Sequence, residues 1–311
     1  MTAENRVVRQ NAYGGPEHIT VEHEPIPRPG PGEALVRVHA AGLNPVDWKL
    51  AAYPALAEAF GTTVPGGYGN DLAGVVAAVG DGVSAVAVGD RVVGEARGSA
   101  VADHVVAPAA ALTLVPDAVP LTEAATLPIA ARTAAAAIGA LDLGPDDAVL
   151  IGGAAGGVGV FATQLAVRSG ALVLATASPD NHAFLRELGA TPVEYGDGLV
   201  DRVRTALGGR ALTAATDLQG SATAHAALEL GVRPERITTV ANNGDPIPGV
   251  IATGGNGAPA GTVARTLDDI AAGRLRVVIS GEYPLERVAE AIARLRDGHV
   301  RGKLVLTTGA E

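Results

Sequence analysis

The chain of 311 residues has no cysteine, one methionine, one tryptophan and only 3% aromatic residues. Without cysteine it can form no disulfide, present no thiolate nucleophile and bind no metal through a thiolate, although that alone leaves its compartment undecided. With so few aromatics, Ala, Val and Leu must fill the core. Basic residues are outnumbered, 23 Lys and Arg against 33 Asp and Glu, which gives a formal net charge of -10. The arginines are scattered rather than gathered into a stripe, so a polyanion would be repelled and nucleic acid is not expected as a partner. An unbroken bilayer-length apolar run is also missing. The longest apolar passage, residues 124–141, contains Pro128 and Arg132 and is rich in Ala, so it reads as a buried helix after a loop rather than a membrane span. The opening MTAENRVVRQ lacks the apolar stretch of a signal peptide, and a reducing cytoplasm is the expected location.

What is present is 48% hydrophobic residues, 18% charged residues and 41 glycines, the composition of a globular protein with many tight turns. A chain of this length is expected to form two domains. The first third reads as short strands: alternation in ALVRVHA, then Val-rich segments in AGVVAAVGDGV and VGDRVVG closed by Gly-Asp or Asp-Gly turns, as in a small irregular barrel. From about Thr122 the texture changes. AVLIGG is followed by GVFATQLAVRSG, LVLATAS by NHAFLRELG, and AATDLQ by ATAHAALELG, strand then helix three times, which implies a parallel sheet. The closing helix VAEAIARLRDG and strand GKLVLTT are expected to rejoin the N-terminal unit. The expected division is residues 1–122 with 265–311, and residues 123–264.

The most informative segment is AVLIGGAAGGVGVFATQLAVRSGALVLATAS, an apolar strand running into a Gly-rich turn that opens a helix and leads to a second strand. Ala154, Gly156 and Gly159 occupy the three places of the GxGxxG pattern: tight turn, close approach of a pyrophosphate, and close helix-to-strand packing. Ala155, Gly157 and Val158 complete the expected cradle, whose helix N-terminus offers free N–H groups to phosphates. The second strand ends at Ser178, where an NAD-preferring site would carry Asp or Glu for the ribose 2′-OH. A hydroxyl there tolerates a 2′-phosphate. Asp180 opposes one by charge, and Ser178 and Asp180 serve equally well as helix caps.

The AAGGVG segment, AAGLNPVDWKLAAYP, YGNDLAGVVAAVGDGVSAVAVGDRVVG, ADHVVAP, LPIAARTA and the C-terminal YPLERVAEAIARLRDGHVRGKLVL resemble, in that order, the quinone oxidoreductase branch of the medium-chain dehydrogenase/reductase superfamily. The resemblance implies a Rossmann-type doubly wound parallel sheet beside a GroES-like β-barrel catalytic domain, that is, an α/β plus β fold. It further implies NADPH as cofactor, with Ser178, His182 and Tyr195 at the 2′-phosphate; Tyr195 reads equally well as a packed ring. Thr133 is implied to help hold the cofactor, and Asn44 and Tyr53 to stand near the nicotinamide and the acceptor as candidate catalytic residues. Asn before Pro45 also stabilises a turn, and Tyr53 also fits a rim position. Asp47 and Lys49 are weaker candidates, and Arg132 replaces an apolar neighbour.

Zinc-dependent members of that superfamily place Cys where Asn44 stands and a His-Glu pair where Asn70-Asp71 stands, so no bound metal is expected. Without a Lewis acid, a quinone or conjugated enone is an easier hydride acceptor than an isolated ketone, because its developing charge is delocalised. The implied function is therefore zinc-independent, NADPH-dependent reduction of a quinone or α,β-unsaturated carbonyl compound by a homodimer. Two alternatives stay open: a biosynthetic enoyl reductase or tailoring enzyme acting on a bulky substrate, and a non-catalytic cofactor-binding sensor. Between Asp217 and Thr262 the chain departs from the pattern. DLQGS and the loop GDPIPGVIATGGNGAPAG stand there, and such loops shape acceptor pockets.

Overall fold

A computed structural model describes residues 4–240 and 246–309. The chain divides into two compact units, Met1–Ile129 with Val263–Glu311, and Ala130–Thr262. The first boundary falls inside the helix Leu127–Gly139 and the second at the start of the helix Thr262–Ala271, rather than at 122/123 and 264/265.

The unit Ala130–Thr262 is built on a six-stranded sheet. Its first strand, Ala148–Gly152, is central, flanked on one side by Leu172–Thr176 and Thr191–Val193 and on the other by Ala214–Asp217, Ile237–Thr239 and Ile251–Ala252. Every pairing is parallel. In chain order this is 3-2-1-4-5-6, the Rossmann arrangement, with the strand order reversing at Ala148–Gly152. That strand, AVLIG, is buried at all five residues, as a central parallel strand covered on both faces must be. The helices Leu199–Leu207 and Ala222–Glu229 share one core with the sheet through Val203, Leu207, Ala224 and Ala227, packed with Leu150, Leu174 and Ile237.

In the other unit the strand Glu33–Leu43 organises a seven-stranded sheet. Along its length it pairs with Asp71–Val79; its first half also pairs with His104–Pro108 and its end with Lys303–Thr307. Arg91–Glu95 and Thr113–Leu114 continue one edge, and Ile279–Pro284 forms the other. One long strand that changes partners along its course bends the sheet toward a barrel, and register shifts at Leu35/Val36 and Val38/Ala40 mark the bend. Glu4–Gln10, Ile19–Pro25 and Gly66–Gly67 form a separate small sheet. This is the GroES-like architecture. The return of the C-terminal strand carries Lys303 into the interior beside Leu43 and Asn44.

Candidate functional site

The strand Ala148–Gly152 feeds a turn that opens the helix Gly157–Arg168, with Gly156 as its N-cap. Gly153 adopts φ +69, so the left-handed residue of this turn is Gly153 and not Ala154. Ala154 is instead fully buried, donating its N–H to the Thr176 carbonyl at 3.2 Å, while Gly153 N–H donates to Thr176 Oγ1 at 3.2 Å. Gly159 is glycine because of packing: a Cβ there would lie 2.1 Å from the Gly153 carbonyl oxygen. Gly156 is different. Its backbone is extended, at φ -77 and ψ 178, and within 4 Å a Cβ would meet only the Gly153 oxygen, at 3.3 Å. The protein's own packing restricts position 156 far less than position 159. The half-buried Gly156, Gly157 and Val158 surround a cradle that a side chain at 156 would fill, and it lies at the positive end of a twelve-residue helix. Backbone donors, helix dipole and vacant Cβ position all fit the pyrophosphate of a dinucleotide.

Beyond the second strand, Ser178 caps a short 3-10 turn, Pro179–Asn181, and its Oγ accepts a hydrogen bond from Asn181 Nδ2 at 3.1 Å. Asp180 is exposed. His182 bonds back through Nε2 to the Ala177 carbonyl at 3.3 Å. Tyr195 is 48% exposed, not a packed ring, and it lines a cavity of about 770 Å³ with Gly153, Thr176, Asp217, Gln219 and Ser221. The backbone carrying Tyr195 is held by Arg202, whose guanidinium donates to the carbonyls of Glu194, Asp197, Tyr195 and Gly196 at 2.9, 2.7, 3.2 and 3.1 Å. Buried Asp217 fixes the opposite loop, accepting N–H bonds from Gln219, Gly220, Thr223 and Ala224.

In the GroES-like unit, Asn44 is the N-cap of the helix Pro45–Ala52, and its N–H donates to Asp47 Oδ2 at 2.7 Å, one half of a capping box. The Asn44 amide points elsewhere. Its Nδ2 donates to Asp71 Oδ2 at 2.9 Å, and its Oδ1 accepts from Lys303 Nζ at 2.5 Å; Lys303 also donates to the Leu43 carbonyl at 2.8 Å. Asn70 Nδ2 donates to Asp47 Oδ1 at 2.5 Å. All five side chains are buried. Burial pushes Asp47 up to about 6, against the hydrogen bonds from Asn44 and Asn70 and the charge of Lys303. Burial likewise pushes Asp71 up to about 7, opposed by Lys303 and by the bond from Asn44, and it depresses the Lys303 ammonium. Asp71 Oδ1 has no hydrogen-bond partner. Tyr53, by contrast, is 55% exposed between two short helices, 6.3 Å from the Trp48 ring.

In the dinucleotide unit, Thr133 is buried on the helix Leu127–Gly139 against the turn Gly255–Gly257; a Cβ at Gly255 would lie 3.6 Å from Thr133 Oγ1. That turn belongs to the Gly/Pro-rich loop singled out in the sequence, of which Gly244 and Asp245 lie outside the described residues.

Residues 30–117 match the family described as alcohol dehydrogenase GroES-like domain, and residues 180–306 match the family described as zinc-binding dehydrogenase. Along its length the chain is 31% identical to a chloroplastic quinone oxidoreductase of Triphysaria versicolor, covering 97% of this chain and 98% of the relative. The chain belongs to the quinone oxidoreductase branch of the medium-chain dehydrogenase/reductase superfamily. Among solved structures, the quinone oxidoreductase of Coxiella burnetii superposes with a TM-score of 0.85 at 28% identity, over 98% of this chain and all of that one. A mycobacterial protein solved in complex with NADPH superposes with a TM-score of 0.84 at 27% identity, over 97% and 99%.

In this quinone oxidoreductase homologue Asn44, Asn70 and Asp71, the positions that the resemblance marks as departures from zinc-dependent relatives, form part of one hydrogen-bonded cluster. Among the described residues no group of three or more His, Cys, Asp or Glu is placed to hold a metal ion, and no helix is long and apolar enough to cross a membrane. Lys303 is the member that sequence reasoning missed. Lys49 and Lys303 are the only lysines in the chain, and Lys303 opens a strand that continues with the apolar run Leu304, Val305 and Leu306, a signal that could have marked it as buried with a purpose.

Proposed function

We propose that the protein is an NADPH-dependent reductase of quinones or α,β-unsaturated carbonyl compounds that works without zinc. The observation that carries the cofactor choice is Ser178, a hydroxyl where an NAD-preferring site would have a carboxylate for the ribose 2′-OH. The exposed Tyr195 beside an open cavity supports it, and so does the likeness to a mycobacterial protein that binds NADPH.

Bound NADPH supplies the hydride. The turn of Ala154, Ala155, Gly156, Gly157, Val158 and Gly159 would hold its pyrophosphate: the half-buried Gly156, Gly157 and Val158 face it at the helix N-terminus, and the buried Ala154, Ala155 and Gly159 shape the turn. Ser178, His182 and Tyr195 serve the 2′-phosphate, and Thr133 helps to retain the cofactor. On the acceptor side, exposed Tyr53 offers a hydroxyl to the acceptor oxygen. Asn44, its amide fixed between Lys303 and Asp71, acts as a positioning residue. The reduced acceptor spreads its negative charge over a conjugated system, so a hydrogen-bond donor and a water-derived proton suffice without a Lewis acid. A homodimer is the assembly that the family likeness favours.

Calorimetric titration of NADPH and NADH tests the cofactor assignment. NADPH should bind about five- to thirtyfold more tightly, a difference of about 1 to 2 kcal/mol. Equal affinities would remove the 2′-phosphate from Ser178 and Tyr195.

A further inference from the structure

A second, small cavity of mixed lining lies within the GroES-like unit, against the helix Pro45–Ala52. Its volume is about 30 Å³, and its lining includes Asp47, Tyr68, Asn70 and Gln10. Tyr68 is 3% exposed and Gln10 1% exposed. Neither Tyr68 Oη nor Gln10 Oε1 has a hydrogen-bond partner, although Gln10 Nε2 is anchored on the Ala12 carbonyl at 2.6 Å. Asp47 borders the same space with a carboxyl whose oxygens each accept one bond, from Asn44 N–H and from Asn70 Nδ2, and therefore keep lone pairs to offer.

Three residues that line this one small space thus carry two orphaned polar atoms and a carboxyl. Leaving a buried donor or acceptor unmade costs about 1 to 3 kcal/mol, and native interiors avoid it. A space of this size holds a water molecule, and internal waters settle where two to four polar groups converge. The chemistry of the lining selects such a guest: one phenol that donates or accepts, one amide oxygen that only accepts, and one carboxyl. Water can donate to the amide oxygen and to the carboxylate while accepting from the phenol.

We propose that this cavity is a built site for an ordered internal water that joins Tyr68 Oη and Gln10 Oε1 to the Asp47 carboxyl. The water completes the hydrogen bonding of Asp47, whose carboxyl accepts the Asn44 N–H. It also gives Asp47, raised to about 6 by burial, a partner able to donate to its ionised form and accept from its protonated form. The site is independent of the reductase reading, because it needs neither cofactor nor acceptor.

The test uses the full-length protein without added ligands. A crystal structure at a resolution that orders internal solvent should show a water within about 2.7 to 3.2 Å of both Tyr68 Oη and Gln10 Oε1. Equilibrium denaturation of Tyr68→Phe supplies a sign. With the water present, loss of the hydroxyl removes one of its partners, and the unfolding constant should rise about fivefold. Around a dry cavity the same change removes an unsatisfied hydroxyl, and the variant should be as stable as the parent or more so. Absence of the water, or an undiminished stability of Tyr68→Phe, overturns the proposal.

Discussion

Replacing Lys303 with Met removes the ammonium that links the terminal strand to Leu43 and Asn44 while keeping most of the side-chain volume. The structure sets the size of the effect. Lys303 Nζ donates to the Leu43 carbonyl at 2.8 Å and to Asn44 Oδ1 at 2.5 Å, both buried, so two acceptors are left unmatched. Each such loss is worth about 1 to 3 kcal/mol, and removing one charge from a buried set costs about 3 to 5 kcal/mol. Against this stands the desolvation cost of the lysine itself, which disappears. Asp71 also responds: it loses the positive charge that holds it down, moves further above about 7, and becomes neutral at physiological pH. A net destabilisation of about 3 kcal/mol follows from these opposing effects. The sharper expectation is for the pair. Asp71→Asn keeps an oxygen for Asn44 Nδ2 and removes a buried carboxylate that Lys303 pairs with, so Lys303→Met with Asp71→Asn should lose at least about 1 kcal/mol less than the sum of the single variants. Denaturant midpoints of the four proteins give this coupling, and carbon-13 chemical shifts of the Asp71 carboxyl give its titration. Additive losses, or an Asp71 titration that does not rise in Lys303→Met, would refute the electrostatic link through Asn44.

Gly156→Val should still fold, at a small loss of stability because its Cβ lies a tight 3.3 Å from the Gly153 oxygen, yet weaken dinucleotide binding at least about tenfold, measured by calorimetry. Gly159→Ala should instead lower stability, since its Cβ would lie 2.1 Å from the Gly153 oxygen; a thermal melt indistinguishable from the parent would contradict this. Asp180→Arg should widen the preference for NADPH over NADH, as it replaces an exposed negative charge near Ser178 with a positive one. Asp47 and Asp71 have folded pKa values near 6 and 7, above the unfolded value of 3.8, so the folded state binds more protons over that range. Their contribution is full below the unfolded value and falls as pH rises through 6 and then 7, by at most about 1.4 kcal/mol per pH unit for each. Denaturation midpoints across that range should show a slope that Asp71→Asn reduces, and an unchanged slope would count against the raised value.

The division of labour along the chain was legible because its signals are local. A buried AVLIG strand, a glycine-rich turn and a helix follow one another within a few residues, and so do their repeats, which is enough to call for a parallel sheet. The role of Ala154 was misjudged for an equally local reason: the GxGxxG template counts positions, whereas Gly153 carries the positive φ, and only backbone geometry separates neighbouring small residues. The Asn44 cluster was half visible. Asn44, Asn70 and Asp71 stood out by what they replace, but Lys303 lies 259 residues from Asn44, and no periodicity reports a contact made by a strand returning from the far end of the chain. The exposure of Tyr195 was beyond reach too, because whether a ring after a strand packs or projects depends on neighbours such as the Arg202 clamp on its backbone.

The most direct test of zinc-independent reduction is to follow NADPH absorbance with the chelated, metal-analysed protein and a panel of benzoquinones, naphthoquinones and conjugated enones. The account predicts oxidation of NADPH with at least one quinone or enone, no stoichiometric zinc, and no loss of rate on chelation. Tight NADPH binding with no turnover of any acceptor, or activity that disappears with a bound metal, would contradict it.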